Sequence, residues 1–196
     1  MTRQVVKIGI AGTHSTGKST FAELLDGELT ALGFKVGRIG ELAKKARDQG
    51  FPILTEHTID STMWIMAECM RQEAEATLLY DVVIIDRPVL DAVGYLDAAL
   101  EVSNRSVNAR RLATLRAIAT AHTREYDLLV VTSLEKSIPL GPHRDQNAQF
   151  REAAGLHIAG LSENLENPTL HLTSSNGAVL RTSATNLVLN RLRVAG

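Results

Sequence analysis

Cysteine is nearly missing from this sequence: Cys69 is the single one in 196 residues. An intramolecular disulfide and a cysteine-based metal site are both excluded, and the composition suits a reducing cytoplasm. Aromatic residues are only 4 % of the chain, which argues against stacking platforms for single-stranded nucleic acid. There is no excess of either charge: 21 Lys plus Arg against 22 Asp plus Glu leaves a net charge of −1. A nucleic-acid or membrane surface as main partner has no electrostatic basis here. No apolar run approaches membrane-spanning length, and Met1-Thr2-Arg3-Gln4 leads straight into the first expected strand. Neither a signal peptide nor a membrane anchor is therefore expected. The length suits one domain, 1–196, carrying a small lid.

What the chain does have is Gly12-Thr13-His14-Ser15-Thr16-Gly17-Lys18-Ser19-Thr20, which fits G-x-x-x-x-G-K-[ST] at every fixed position. The apolar run Val5–Ala11 before it reads as a buried strand. After it, Phe21, Leu25, Leu29 and Leu32 recur at helical spacing. Strand, glycine loop and helix together are the context of a phosphate-binding loop. Gly12 and Gly17 let successive backbone N–H groups converge on one anion, and the helix N-terminus adds partial positive charge. Lys18 is placed to reach the outer phosphates of a nucleoside triphosphate such as ATP, and the Ser19 hydroxyl to ligate Mg²⁺.

Strands are expected at Phe34–Ile39, Asp81–Asp86, Asp127–Thr132 and Thr169–Thr173. Between them lie helical stretches: Leu42 to Gln49, the longest from about Glu56 to Tyr80, then Pro88 to Glu101, Val107 to Arg124 and Gln146 to Glu163, with a last helix after Gly177. In the longest, Ile59, Met63, Met66, Met70 and Ala74 form one line and read as core. Five strands alternating with helices predict an α/β fold, a parallel sheet with helices on both faces. Ligands bind beyond the C-terminal ends of such strands, which gathers the phosphate loop, Glu41, Asp86, Ser133 and the Thr173–Gly177 loop along one edge.

Asp86 ends a buried strand, where a carboxylate can hold Mg²⁺ or accept a proton from an attacking hydroxyl; a helix N-cap is its bland alternative. Asp91 is a second carboxylate nearby, and its D-x-x-G match, lying within a helix, reads as chance. Glu41 is the other candidate base, and with Arg47 nearly two helical turns on it can grip a ribose hydroxyl and a phosphate or amide; an exposed, charged helix start is its bland alternative. Trp64, Glu68, Arg71 and Glu75 share a face of the longest helix, where Trp64 suits base stacking, a homodimer contact or packing under a loop. Ser133–Asp145, with Pro139, Gly141 and Pro142, reads as an irregular lid reaching to about residue 152; Arg144 and Arg151, seven apart, share a helix face if the helix starts near Arg144.

With these residues placed, the chain resembles the small P-loop kinases of nucleosides and nucleotides, most closely the ribosylnicotinamide-kinase type and its AAA-type ATPase and kinase relatives. The similar segments are GTHSTGKST, Glu41 to Arg47, Asp86-Arg87-Pro88-Val89-Leu90-Asp91, and Arg144-Asp145 with Phe150-Arg151. The resemblance implies a P-loop kinase fold, ATP and Mg²⁺ as cofactors, and a small-molecule acceptor. It also implies Asp86 as the catalytic or Mg²⁺-linked carboxylate, Glu41 on the substrate side, and Arg144 and Arg151 as lid arginines; Lys18, Glu41, Arg144 and Arg151 join Asp86 as catalytic candidates, and Arg47, Trp64, Arg71 and Arg87 join Glu41 as substrate-binding candidates. The competing expectation is a nucleotide-dependent switch that binds a protein; the enclosed, arginine-bearing lid favours the kinase.

Overall fold

The computed structural model describes residues 4–135, 147–163 and 165–193. Its sheet has five parallel strands in the order β2-β3-β1-β4-β5, where β1 is Val6–Ala11, β2 Val36–Ile39, β3 Val82–Asp86, β4 Leu128–Thr132 and β5 Thr169–Leu172. Pairing is in step, with Ile10 opposite Asp86 on one side and Val130 on the other, so β1, β3 and β4 end together. The central strands are apolar throughout because both faces are covered. Val6, Ile8, Ile10, Val82, Ile84, Leu128 and Val130 pack on the side that carries α1 (Lys18–Ala31) and α7 (Gly177–Arg193). Ala11, Val83, Ile85, Leu129 and Val131 face the opposite layer. That layer holds α2 (Leu42–Asp48), α3 (Ile59–Ala76), α4 (Val89–Val102), α5 (Ala109–Thr123) and α6 (Ala148–Glu163). The fold is therefore the expected α/β sandwich with helices on both faces.

Helix α4 lies innermost in that layer: every residue from Val89 to Ala99 is buried. Gly94 makes this possible, since a Cβ there would stand 2.4 Å from Ile158 Cγ1 of α6 and 3.2 Å from its backbone nitrogen.

Helix α3 departs from expectation at both ends and in its buried face. It starts at Ile59, after a 3₁₀ turn at Leu54–Glu56, because Thr58 caps it: the Thr58 side chain accepts from Ser61 N–H and the Ser61 hydroxyl accepts from Thr58 N–H. It stops at Ala76, leaving Leu78 and Leu79 exposed. The core line is Ile59, Thr62, Met66, Cys69, Glu73 and Ala76, whereas Met63 and Ala74 face solvent. The reason is Glu73, a carboxylate fully inside, which accepts from Tyr126 OH at 2.9 Å and lies 2.9 Å from His122 Nε2. Sequence periodicity ranks apolar residues inward and cannot foresee a buried acid whose partners come from α5 and the turn beyond it.

Candidate functional site

The turn after β1 is held on every side. Gly12 has φ +138°, and a Cβ there would fall 1.9 Å from Thr132 Oγ1, so only glycine lets the loop pass β4. Thr132 is 2.7 Å from Thr16 Oγ1 and donates to Ala11 O at 3.2 Å. Thr16 in turn donates to Thr13 O at 2.9 Å. Lys18 is buried, with its ammonium bonded to Thr13 O and, at 3.3 Å, to Thr16 Oγ1. Arg151, from the first turn of α6, braces the loop from outside, with Nε donating to His14 O at 3.1 Å and Nη2 to Ser15 O at 2.9 Å. Arg151 thus stands at the loop as its brace. Arg144, the other expected lid arginine, lies outside the described residues, as does most of the expected lid.

Asp86, at the end of β3, accepts from the Ser19 hydroxyl with Oδ2 at 2.6 Å. Its Oδ1 is buried with no hydrogen-bond partner among the described residues. A hydroxyl and a carboxylate oxygen with unspent acceptor capacity form a hard donor pair that fits Mg²⁺, which ordinarily takes one or two protein ligands and completes its shell with phosphates and water. Among the described residues there is no cluster of three or more His, Cys, Asp or Glu that could hold a metal unaided.

Beside the loop opens a cavity of about 180 Å³. Its inner wall is His14 of the loop with Arg87, Asp91, Ala92 and Tyr95 of the β3–α4 segment. Its outer wall comes from α2 and the 3₁₀ turn: Glu41, Lys44, Arg47, Ile53, Leu54 and His57. Glu41 is exposed at the rim, at the start of α2. Ser15, Glu41, Leu54 and Arg87 have φ of 55°, 59°, 59° and 73°, four of the five non-glycine residues with positive φ among those described. Such backbone strain gathers where side chains must be presented to a ligand.

Two groups in this wall were given little or no weight from sequence. Asp91 is buried, and both its oxygens accept from Gly12 N–H, at 3.1 and 3.2 Å. Burial pushes its carboxyl well above the usual carboxylate range, against the pull of Lys18, Arg87 and the Gly12 N–H. His57 is buried too, and desolvation with the nearby Arg105 charge drives its imidazole down to about 4. Asp91 had one legible signal, an acid among the apolar residues that open α4, although Asp97 shares the same buried stretch. His57 had none, because its burial depends on a loop.

Arg47 joins the cavity, with its Nη2 3.4 Å from Asp48 Oδ1. Trp64 and Arg71 do not. Trp64 packs against Phe51 with ring centroids 5.6 Å apart, and Arg71 is exposed and bonded to Glu68 and Glu75 of its own helix. The packing alternative for Trp64 is the one the geometry matches.

A glycine loop clamped between β1 and α1, an acid at the end of the adjacent strand and a cavity alongside define a P-loop nucleotide-binding fold. Residues 7–176 match the family described as AAA domain, and the chain belongs to that family. Solved structures share the fold at low identity. A NadR protein in complex with NR is 14 % identical with a TM-score of 0.66, covering 96 % of this chain and 52 % of its own. Deoxyadenosine kinase from M. mycoides with bound dATP is 14 % identical with a TM-score of 0.59, covering 92 % of this chain and 100 % of its own. Thymidylate kinase from Candida albicans is 15 % identical with a TM-score of 0.64, covering 95 % and 92 %. The chain spans about half the length of the NadR protein. No curated protein sequence matches it. Among the described residues no helix is long and apolar enough to cross a membrane.

Proposed function

We propose that the protein is an ATP-dependent kinase that transfers the γ-phosphoryl group to a hydroxyl or phosphate of a nucleoside-like or nucleotide-like small molecule. The observation that supports this is the shared wall: His14 belongs to the phosphate loop and also lines the cavity. An acceptor in that cavity lies against the loop that cradles the donor phosphates. Phosphoryl transfer asks little covalent chemistry of the protein and much positioning and charge compensation. Lys18 neutralises charge on the outer phosphates, and Arg87, in the cavity wall, meets charge on the acceptor side. Glu41 at the rim is placed to take the proton of an acceptor hydroxyl, with Asp86 its competitor for that role. Ser19 and Asp86 would hold Mg²⁺, which would supply neutralisation of the phosphate charge. The apolar side chains of Ile53, Leu54 and Ala92 exclude water from the same space. The kinship with solved nucleoside and nucleotide kinases is of fold, and it agrees with this reading without naming the acceptor.

The test measures ADP release from ATP with no acceptor and with a panel of nucleosides, nucleoside monophosphates and ribosylnicotinamide. Acceptor-dependent ADP release with a phosphorylated product, lost in a folded Lys18→Ala variant, is the expected result. Turnover that ignores every acceptor would instead make the protein a nucleotide-dependent ATPase or switch.

A further inference from the structure

One face of α4 touches both halves of the site. Asp91 and Tyr95 are four residues apart, so their side chains leave the helix one above the other. Both are buried and both line the cavity. Each also holds the phosphate loop: Asp91 grips Gly12 N–H with both oxygens, and the Tyr95 hydroxyl lies 3.4 Å from His14 Nδ1. Tyr95 accepts from Arg87 Nη1 at 2.8 Å, while the guanidinium stands 5.3 Å from the tyrosine ring centroid. The hydroxyl has a single proton, and with Arg87 donating to its oxygen that proton can be offered to His14 Nδ1. An imidazole that accepts at Nδ1 carries its own proton on Nε2. In that arrangement a chain of two hydrogen bonds runs from Arg87 in the cavity wall to the phosphate loop, and the His14 tautomer is its signature.

The helix that carries these side chains is packed on all sides. It is buried from Val89 to Ala99 and closed against Ile158 at Gly94. An acceptor seated against Arg87, Asp91 and Tyr95 thus bears on the groups that set the positions of Gly12 and His14. We propose that Asp91 and Tyr95 are positioning residues that tie acceptor occupancy to phosphate-loop geometry, so that acceptor and nucleotide strengthen each other's binding. The inference rests on the kinase reading for the identity of the second ligand, but the contacts of the Tyr95 hydroxyl with Arg87 and His14 do not depend on it.

Tyr95→Phe is the sharpest probe, because it keeps the ring, its packing 5.7 Å from Phe150 and its place 5.3 Å from the Arg87 guanidinium, and removes only the hydroxyl with its links to Arg87 and His14. Calorimetry gives the affinity of the full chain for AMP-PNP with Mg²⁺, with and without the acceptor that the panel identifies. In the wild type the acceptor tightens AMP-PNP binding by about tenfold. In Tyr95→Phe that factor, taken as the ratio of AMP-PNP affinities with and without acceptor in the same variant, falls towards one. Asp91→Asn keeps an oxygen for Gly12 N–H and retains the coupling; Asp91→Leu, of similar size but with no acceptor atom, loses it. A wild type without coupling, or a Tyr95→Phe or Asp91→Leu variant with the wild-type factor, overturns the proposal. If the panel yields no acceptor, the kinase reading fails by itself, and nitrogen-15 NMR of His14 in the intact protein decides the hydrogen-bond chain. A ring protonated at Nε2 in the wild type, and mixed tautomers in Tyr95→Phe, uphold it; a wild-type ring protonated at Nδ1 refutes it.

Discussion

Replacing His57 by glutamine should flatten part of the acid sensitivity of this protein. His57 ends the 3₁₀ turn over the cavity and is 3 % exposed. Its Nε2 is buried with no hydrogen-bond partner among the described residues. Arg105 donates from Nη2 to the carbonyls of Thr55 and His57, at 2.7 and 3.0 Å, which fixes the turn and keeps a positive charge beside the ring. Burial first, and Arg105 second, lower the imidazole from 6.5 to about 4. Between those values the unfolded chain binds a proton at His57 that the folded chain refuses, so stability falls as pH falls through this window. The whole gap, 6.5 down to about 4, corresponds to about 3 kcal/mol at about 1.4 kcal/mol per tenfold change. About 2 kcal/mol of it has gone by about pH 5.

Carboxylates titrate in the same range, so the wild type alone does not isolate His57. Urea unfolding followed by circular dichroism at pH 7 and pH 5, on wild type and His57→Gln, removes their shared contribution by difference. The wild type should lose about 2 kcal/mol more than the variant over that interval. Parallel losses would show that the native ring already accepts a proton near neutrality, and the description of His57 as a neutral group in the cavity wall would fall with it.

Asp86→Asn should cut turnover by orders of magnitude while weakening nucleotide binding less, because it removes the charge but keeps the shape; steady-state kinetics beside AMP-PNP titration show the split, and a near-normal rate would reduce Asp86 to a local hydrogen-bond partner of Ser19. Arg151→Ala removes donors from the carbonyls of His14 and Ser15 and should cost about 1–3 kcal/mol in thermal unfolding together with AMP-PNP affinity. Turnover lost with affinity and stability intact would make Arg151 a transition-state arginine rather than a brace. Gly94→Ala forces a Cβ to within 2.4 Å of Ile158 Cγ1 and should destabilise by about 1–3 kcal/mol in urea unfolding, with Ile158→Ala in the same chain recovering part of the loss.

The phosphate loop could be read from the chain because its chemistry is local. Gly12, Gly17, Lys18 and Ser19 work through backbone conformation and a reach of a few residues, so spacing alone identifies them. The parallel sheet was equally legible, since Val82–Ile85 and Leu128–Val131 are apolar at every position, as strands covered on both faces must be. From the sheet followed the edge at which Asp86 meets the loop and Glu41 lines the cavity beside it, because ligands gather beyond the strand ends.

Other assignments depended on neighbours far away in sequence. Trp64 suited a stacking residue until Phe51 took its ring, and Arg71 a substrate contact until Glu68 and Glu75 held it on the surface. Arg151 was legible as a functional arginine but not as the support of carbonyls 136 and 137 residues earlier in the chain. Asp91, expected only as a second carboxylate nearby, is joined to Gly12 across 79 residues, and Glu73 turned the face of α3 by finding Tyr126 across 53. Periodicity and motif spacing register only what a residue does to its own segment. Whether a polar side chain is buried is settled by the partners that tertiary packing brings to it, and here those partners made a loop, a helix face and a cavity into one site.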